Sequence, residues 1–109
     1  MIVRMWHGRV PLWKAAQYER YLERTGLADY RATPGNCGAW LLRRDEADIT
    51  HFTALTFWTS ILAIKAFAGD NCELARYYPS DDEFLLEREP NVIHHEIVDS
   101  SVSARDGAA

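Results

Sequence analysis

The stretch ITHFTALTFWTSILAIKAFAG (residues 49–69) decides the fold, because its pattern changes once, from that of a strand to that of a helix. The first half is rich in β-branched and aromatic residues, which predicts a strand over Ile49–Trp58. Ser60 is a residue type that caps helices, and Gly69 is one that ends them. Between these two residues, the apolar positions at helical spacing are Ile61, Ile64 and Phe67.

A second strand precedes this one and forms a hairpin with it. The segment from Cys37 to Arg44 has strand composition, and only the polar stretch Asp45–Asp48 separates it from Ile49. Upstream, residues 30–36 (YRATPGN) contain a Pro-Gly pair and predict a turn-rich loop.

The first third of the chain predicts a strand followed by a helix. Ile2–His7 alternates and carries β-branched and aromatic residues, and Gly8 and Pro11 then interrupt the pattern. Residues 12–25 predict a helix, with Gly26 as the left-handed residue just beyond its end. The apolar positions of this helix are Leu12, Ala15, Tyr18 and Leu22.

The last third predicts one short helix and one strand. Asn71–Tyr78 reads as a helix stopped by Pro79, because proline disfavours helix at the preceding residue. Ser80–Pro90 is acidic and predicted to be partly ordered, with the acidic run Ser80–Glu83 read as a solvated loop. Val92–Val98 is the final strand. We therefore expect a domain over residues 1–98 and a flexible C-terminal tail over residues 99–109.

The element order β-α-β-β-α-β predicts an α+β, ferredoxin-like fold. Such chains form a four-stranded antiparallel sheet with the helices on one face. The first and third strands lie in the middle, and the fourth lies beside the first. The other face of the sheet is left uncovered, so its apolar side chains favour a symmetric homodimer.

Composition excludes several classes of protein. The 109 residues fit one domain, and a formal net charge of −4 without a basic stripe gives no support for binding nucleic acid. No run of 18 apolar residues suggests a membrane span, and the N-terminus reads as a strand rather than a signal peptide. A soluble, cytoplasmic protein is expected.

The motifs of metal and cofactor sites are also absent from the sequence. Cys37 and Cys72 are far apart and form no C-x-x-C pair, so two reduced thiols are expected rather than a zinc site. There is no G-x-G-x-x-G, no P-loop and no H-E-x-x-H. The sequence therefore predicts no metal and no cofactor.

Several segments together resemble a known family. The clearest is FWTS (residues 57–60) running into AIKAFAG (residues 63–69). The others are IVRMWHGRV (2–10), YRATPGN (30–36), LRR (42–44), ARYYP (75–79) and HHE (94–96). Over residues 1–98 the chain resembles the antibiotic-biosynthesis-monooxygenase-like (ABM-like) proteins.

This resemblance implies a dimeric α/β barrel with a small-molecule cavity between sheet and helices in each protomer. The family includes cofactor-independent oxygenases of quinol-type substrates and haem-degrading enzymes. The haem-degrading members use an Asn, Trp and His set, and the comparable places here hold Trp6, Phe67 and Tyr77. That departure argues against haem cleavage, but a tyrosine can still be an axial haem ligand.

Strand parity predicts where a site would lie. Arg4 and Trp6 share one face of the first strand, and the pair His94-His95 is split between the two faces. If the fourth strand neighbours the first, one of these two histidines lies beside Arg4 and Trp6 in a polar and aromatic corner, and we choose His94, although either register is open. We predict Arg4 and His94 as catalytic residues. A purely structural alternative is that Arg4 pairs with Glu96.

Aromatic residues supply the predicted ligand contacts. Each has a structural alternative, since strand tryptophans are more often core or interface residues than ligand contacts. The predicted substrate-binding residues are Trp6, Trp40, Trp58, Phe67, Tyr77 and Tyr78.

Three functions are consistent with these observations. The first is a cofactor-independent monooxygenase of a quinol-type or other electron-rich aromatic, in which Arg4 holds the oxyanion and His94 takes the proton. The second is a haem-binding or haem-degrading protein. The third is a non-catalytic dimeric binding or interaction module. The partners expected from these readings are a second copy of the chain and a small aromatic molecule.

Overall fold

A computed structural model describes residues 1–101 and contains one four-stranded antiparallel sheet in the order β2-β3-β1-β4. The predicted α+β fold is confirmed, with the first and third strands central and the fourth beside the first. The strands are β1 (Ile2–Pro11), β2 (Asn36–Glu46), β3 (Ile49–Trp58) and β4 (Ile93–Glu96), and the helices are α1 (Ala15–Arg24), α2 (Gly26–Ala32) and α3 (Ile61–Ala68).

The two faces of the sheet differ in burial. Along β1, Arg4 to Val10 alternate strictly, and the even-numbered residues are buried under the helices. β3 follows the same rule from Thr50 to Trp58. The odd-numbered residues form the other face, which no element of the described chain covers. We call these the helix face and the open face.

β1 is longer than predicted, because it continues through Gly8 to Pro11. Gly8 pairs with Phe52 inside the sheet. A β-carbon at Gly8 would lie only 2.6 Å from the Trp6 ring and 2.8 Å from Leu85, so glycine here lets both side chains lie against the strand. Its role is close packing rather than ending the strand.

Part of the predicted loop at residues 30–36 is helical. α2 begins at Gly26, which therefore does not serve as a left-handed cap, and runs to Ala32. Leu27 and Tyr30 are buried three residues apart on this helix, a spacing typical of a core-facing helix. The helix stops just before the Pro-Gly turn, in which Gly35 has a φ of 94°.

The helix predicted over Asn71–Tyr78 is also wrong. Leu74 instead forms an isolated bridge with Asn91, and the amide of Ala75 donates to the carbonyl of Pro90 at 2.9 Å. These hydrogen bonds to a distant segment replace the ones a helix would make locally. A short 3-10 helix follows at Pro79–Glu83.

The predicted hairpin of β2 and β3 is confirmed. Its loop is Ala47-Asp48, shorter than the predicted Asp45–Asp48, and Ala47 has a φ of 55°. Cys37 is exposed and Cys72 is buried, and both are free thiols. Among the described residues, none of the helices has the length and apolar character needed to cross a membrane. Most of the predicted tail lies outside the described residues.

Candidate functional site

A narrow cavity lies between the helix face of the sheet and the elements that cover it. Its volume is about 30 Å³, which is room for one or two water molecules, so a larger ligand must displace lining side chains. The lining is largely aromatic and aliphatic, and its three charged residues are Arg4, Arg76 and Asp81. It comprises Arg4, Trp6, Tyr18, Leu22, Gly26, Leu27, Tyr30, Leu41, Ala54, Phe67, Arg76, Tyr78 and Asp81.

Arg4 is buried in this cavity without a carboxylate partner. It is only 1% exposed, and no ion pair among residues 1–101 involves it. One terminal nitrogen donates to the carbonyl of Leu74 at 3.1 Å, whereas Nε has no hydrogen-bond partner. Burial lowers the pKa of Arg4, and Tyr30 offsets part of this effect. The predicted pairing with Glu96 is wrong, because Glu96 is exposed at the edge of the sheet, opposite Ile2.

Asp81 is the second buried charge of the cavity, at 2% exposure. Its Oδ1 accepts a hydrogen bond from the Tyr18 hydroxyl at 2.7 Å, and its Oδ2 accepts one from the Tyr78 amide at 2.6 Å. No described cation forms an ion pair with it. Burial, followed by the charge of Asp81, raises the pKa of Tyr18, so this hydroxyl stays protonated.

Phe67 lies between two guanidinium groups of the lining. Its ring centroid is 5.4 Å from the central carbon of Arg4 and 4.9 Å from that of Arg76, both within cation–π distance. Unlike Arg4, Arg76 has a counter-ion, since it pairs with Asp29 at 3.2 Å. Asp29 also accepts a hydrogen bond from the Tyr78 hydroxyl, and burial together with this bond raises the pKa of Tyr78.

Trp6 forms one wall of the cavity, and Tyr77 contacts Trp6 from behind. Trp6 lines the cavity, and its Nε1 donates to the Tyr77 hydroxyl at 3.4 Å. Tyr77 in turn donates to the carbonyl of Glu89 at 2.5 Å. Tyr77 is therefore placed behind Trp6 rather than in the lining.

His94 lies directly opposite Arg4 in the β1–β4 pairing, so of the two adjacent histidines it is the one that neighbours Arg4 on the helix face. Among residues 1–101 neither ring nitrogen has a hydrogen-bond partner, although Nδ1 lies 3.5 Å from Glu73. Burial and the charge of Arg4 lower the pKa of His94. The ring is thus neutral near pH 7, but it does not line the cavity.

Two predicted ligand contacts lie elsewhere. Trp58 is fully buried and packs against Tyr30 and Phe67, so it belongs to the core behind the cavity. Trp40 is 53% exposed on the open face opposite Leu55, and only its neighbour Leu41 reaches the cavity. The structure therefore does not bring Trp40 together with Arg4.

Four polar residues of the lining were not among the site residues predicted from the sequence. Tyr18 and Tyr30 read as helix and loop residues, and Arg76 and Asp81 as parts of a helix end and a solvated loop. The spacing of Leu27 and Tyr30 was an available sign of α2. The contact between Tyr18 and Asp81 spans 63 positions, and no local pattern announces it.

The lining does not suit a haem group. It contains no histidine, cysteine or methionine that could be an axial ligand of the iron. The hydroxyls of Tyr18 and Tyr78 donate to carboxylates, and burial raises the pKa values of the three lining tyrosines, Tyr18, Tyr30 and Tyr78, which disfavours the tyrosinate that iron requires. The small volume agrees with this reading.

Comparisons with known proteins find solved structures of similar fold, but no match by sequence. No protein-family model matches the chain, and no curated protein matches it significantly. The haem degrader MhuD from Mycobacterium tuberculosis, solved with two haems in its active site, superposes with a TM-score of 0.63 at 20% identity, over 94% of this chain and 100% of MhuD.

Two further solved structures are similar. Rv0793 from M. tuberculosis gives a TM-score of 0.58 at 19% identity, over 94% of this chain and 100% of that one. A proposed antibiotic biosynthesis monooxygenase from Bacillus cereus gives 0.56 at 18% identity, over 97% and 98%. At these identities the likeness concerns the fold, and this chain has the ferredoxin-like α+β fold of the ABM-like proteins.

Proposed function

We propose that the protein binds a small aromatic molecule with an acidic hydroxyl in the Arg4 cavity and oxidises it with molecular oxygen, without a cofactor. The observation that carries the proposal is the buried, unpaired guanidinium of Arg4 among aromatic side chains. A buried cation is costly unless something compensates its charge, so an anionic ligand oxygen is the partner that this site lacks.

The chemistry fits a substrate that supplies its own electrons. A naphthol that loses its proton becomes an electron-rich anion, and Arg4 would stabilise the charge on its oxygen. Reaction with one O₂ converts the naphthol to a naphthoquinone and releases one water, so no external reductant is needed. Trp6 and Phe67 would contact the ring. His94, a neighbour of Arg4, is the sequence-based candidate for the base.

The alternatives differ in what they require of the cavity. A non-catalytic binding or interaction module is the second candidate, and the small cavity volume favours it because an interaction module needs no room for a ligand. Haem is a less suitable ligand, although the fold is shared with MhuD, because the lining has no histidine, cysteine or methionine and its tyrosines have raised pKa values. Haem titration should therefore give no saturable, shifted Soret band.

We also propose a homodimer formed through the open face. Large apolar side chains are exposed there, and a monomer would leave them in water. They include Trp40, Leu42 and Ile93, which are between 46% and 60% exposed.

The test uses 1-naphthoate as a binding probe and 1-naphthol as a substrate probe. We expect saturable binding of 1-naphthoate by calorimetry, and oxygen consumption with 1-naphthol in metal-free buffer without added cofactor. Binding without oxygen consumption would leave the non-catalytic module, and absence of both would overturn the proposal. If His94→Ala consumed oxygen at the wild-type rate, His94 would not be the base.

A further inference from the structure

The cavity holds two opposite buried charges that do not pair with each other. Among residues 1–101, the buried charged side chains are Arg4 and Asp81, and both line this cavity. Opposite charges in a low-dielectric space attract strongly, so an ion pair would be the simplest arrangement. They instead make separate contacts, Arg4 with the Leu74 carbonyl and Asp81 with Tyr18 and Tyr78, while both line the same cavity.

Asp81 is held in a way that leaves it able to accept a proton. A carboxylate has about four acceptor positions, and the Tyr18 hydroxyl and the Tyr78 amide occupy two of them. The amide contact fixes the carboxylate to the start of the 3-10 helix Pro79–Glu83. Among residues 1–101, no other group donates a hydrogen bond to this carboxylate.

Tyr18 extends the reach of Asp81 into the cavity. The ring is fully buried and lines the cavity, and its hydroxyl donates to Asp81. Because the raised pKa keeps Tyr18 protonated, its oxygen can accept a proton only while it passes its own to Asp81. The pair can therefore act as a relay with the carboxylate as the final acceptor.

We propose that Asp81, directly or through the Tyr18 hydroxyl, accepts the hydroxyl proton of the substrate while Arg4 receives the oxyanion. The substrate O–H bond breaks, its electron pair stays on the substrate oxygen, and a new O–H bond forms on Asp81. The net charge of the site is unchanged, and this step consumes no oxidant. This inference rests on the proposed function and names the base for it.

The position of Asp81 favours it over His94 for this role. Asp81 lines the cavity, whereas His94 lies on the neighbouring strand outside the lining. A base must come within hydrogen-bond distance of the proton that it removes. His94, in this interpretation, affects the reaction through the electrostatics of Arg4.

The experiment compares Asp81→Asn, Tyr18→Phe and His94→Ala in oxygen consumption with 1-naphthol, from neutral pH to about pH 10, where phenols ionise. Asparagine has nearly the shape of aspartate and can keep both contacts. Its oxygen can accept from the Tyr78 amide, and its NH₂ can donate to the Tyr18 oxygen. We expect a roughly 100-fold lower rate for Asp81→Asn at neutral pH. The rate should recover as 1-naphthol ionises in solution, because no base is then needed. Tyr18→Phe should lose less and recover in the same way.

Binding of 1-naphthoate separates a base from a structural residue. This probe has no hydroxyl proton, so Asp81→Asn should bind it as tightly as the wild type or more tightly. Three results would overturn the inference and leave the proposed function standing. They are a wild-type rate for Asp81→Asn, a loss of rate in Asp81→Asn that is equal at every pH, and a loss that high pH rescues in His94→Ala rather than in Asp81→Asn. A wild-type protein that binds 1-naphthoate but consumes no oxygen would overturn the inference and the oxidation together. Absence of 1-naphthoate binding would overturn the site itself.

Discussion

Two arginines on one strand show how different the faces of the sheet are. Arg4 lies on the helix face, buried and without a counter-ion. Arg9, five residues along β1, lies on the open face and forms two hydrogen bonds with Glu87, at 2.6 and 3.1 Å. On the same open face, His7 contacts Glu89 at 2.6 Å and His51 at 2.9 Å.

The difference separates charges that serve the fold from charges that serve a ligand. Exposed pairs such as Arg9–Glu87 satisfy each other and contribute little to stability. Arg4 gains no such partner although its burial is costly, and a fold that only needed stability would favour an apolar side chain there. The unsatisfied face is therefore the one on which to look for function.

The largest expected effect comes from Arg4→Met, which removes the charge but keeps an unbranched side chain. We expect affinity for 1-naphthoate to fall about 100-fold, as for the loss of a buried charged hydrogen bond worth roughly 3 kcal/mol. The free energy of unfolding should stay constant or rise by about 1 kcal/mol, because an uncompensated buried charge is removed. Calorimetry and urea denaturation measure the two quantities.

Arg9→Met is the matched control for this prediction. It makes the same chemical change on the same strand but on the open face, so 1-naphthoate affinity should remain within a factor of two or so of the wild type. Equal losses of affinity in the two variants would show that overall charge, rather than the cavity, attracts the ligand.

The next largest effect concerns the apolar part of the open face. If two copies associate through it, Trp40→Glu places a charge in each copy within the interface and should shift the mass in sedimentation from twice the 12.5 kDa chain towards the single chain. Trp13→Glu is the control, since Trp13 is 77% exposed in the 3-10 helix after β1, away from the sheet faces. A monomeric wild type, or an unchanged dimer in Trp40→Glu, would contradict the proposed interface.

Much of this two-faced sheet could be predicted from the sequence. A period of two fixes which residues of β1 share a face, so Arg4 and Trp6 were placed together and apart from His7. The order of the strands then makes β4 the neighbour of β1. These relations depend on short-range pattern and simple topology. The pairing register, which places His94 rather than His95 opposite Arg4, is not visible in the sequence.

The rest of the site could not be predicted in this way. Asp81 stands in an acidic stretch that reads as a solvated loop, and only its contact with Tyr18, 63 positions away, shows that it is buried. Arg76 belongs to a segment that pairs with residues 90–92 instead of forming a helix. Trp40 and Leu41 are consecutive in β2, so they lie on opposite faces of the sheet. The bulge between Asn36 and Gly38 shifts the register of this strand and so affects which of the two faces the cavity.

A smaller effect is expected for the pH dependence of stability. The pKa of His94 is lower in the folded protein than in the unfolded chain, so at intermediate pH the unfolded chain binds a proton that the folded protein does not. The stability associated with neutral His94 is present above the unfolded-state pKa of about 6.5 and is lost as the pH falls through the folded-state value. His94→Gln should flatten the fall in urea midpoint below pH 6.5 or so. His95→Gln, an exposed neighbour on the other face, should not, and equal slopes for His94→Gln and the wild type would contradict the assignment.

The smallest effect should come from breaking a pair on the open face. Glu87→Gln removes the charge that Arg9 contacts, and both side chains are more than a third exposed. Water already screens such a pair, so we expect only a slight fall in the urea midpoint at low salt. The difference from wild type should shrink in about 1 M salt, where the Debye length falls to about 3 Å. A large loss that persists in high salt would mean that the Arg9–Glu87 contact holds the chain near Leu86 by packing, since the Leu86 amide also donates to the Arg9 carbonyl. In that case the open face would help to hold β1, the strand that also carries Arg4, in place. The two faces would then differ only in degree.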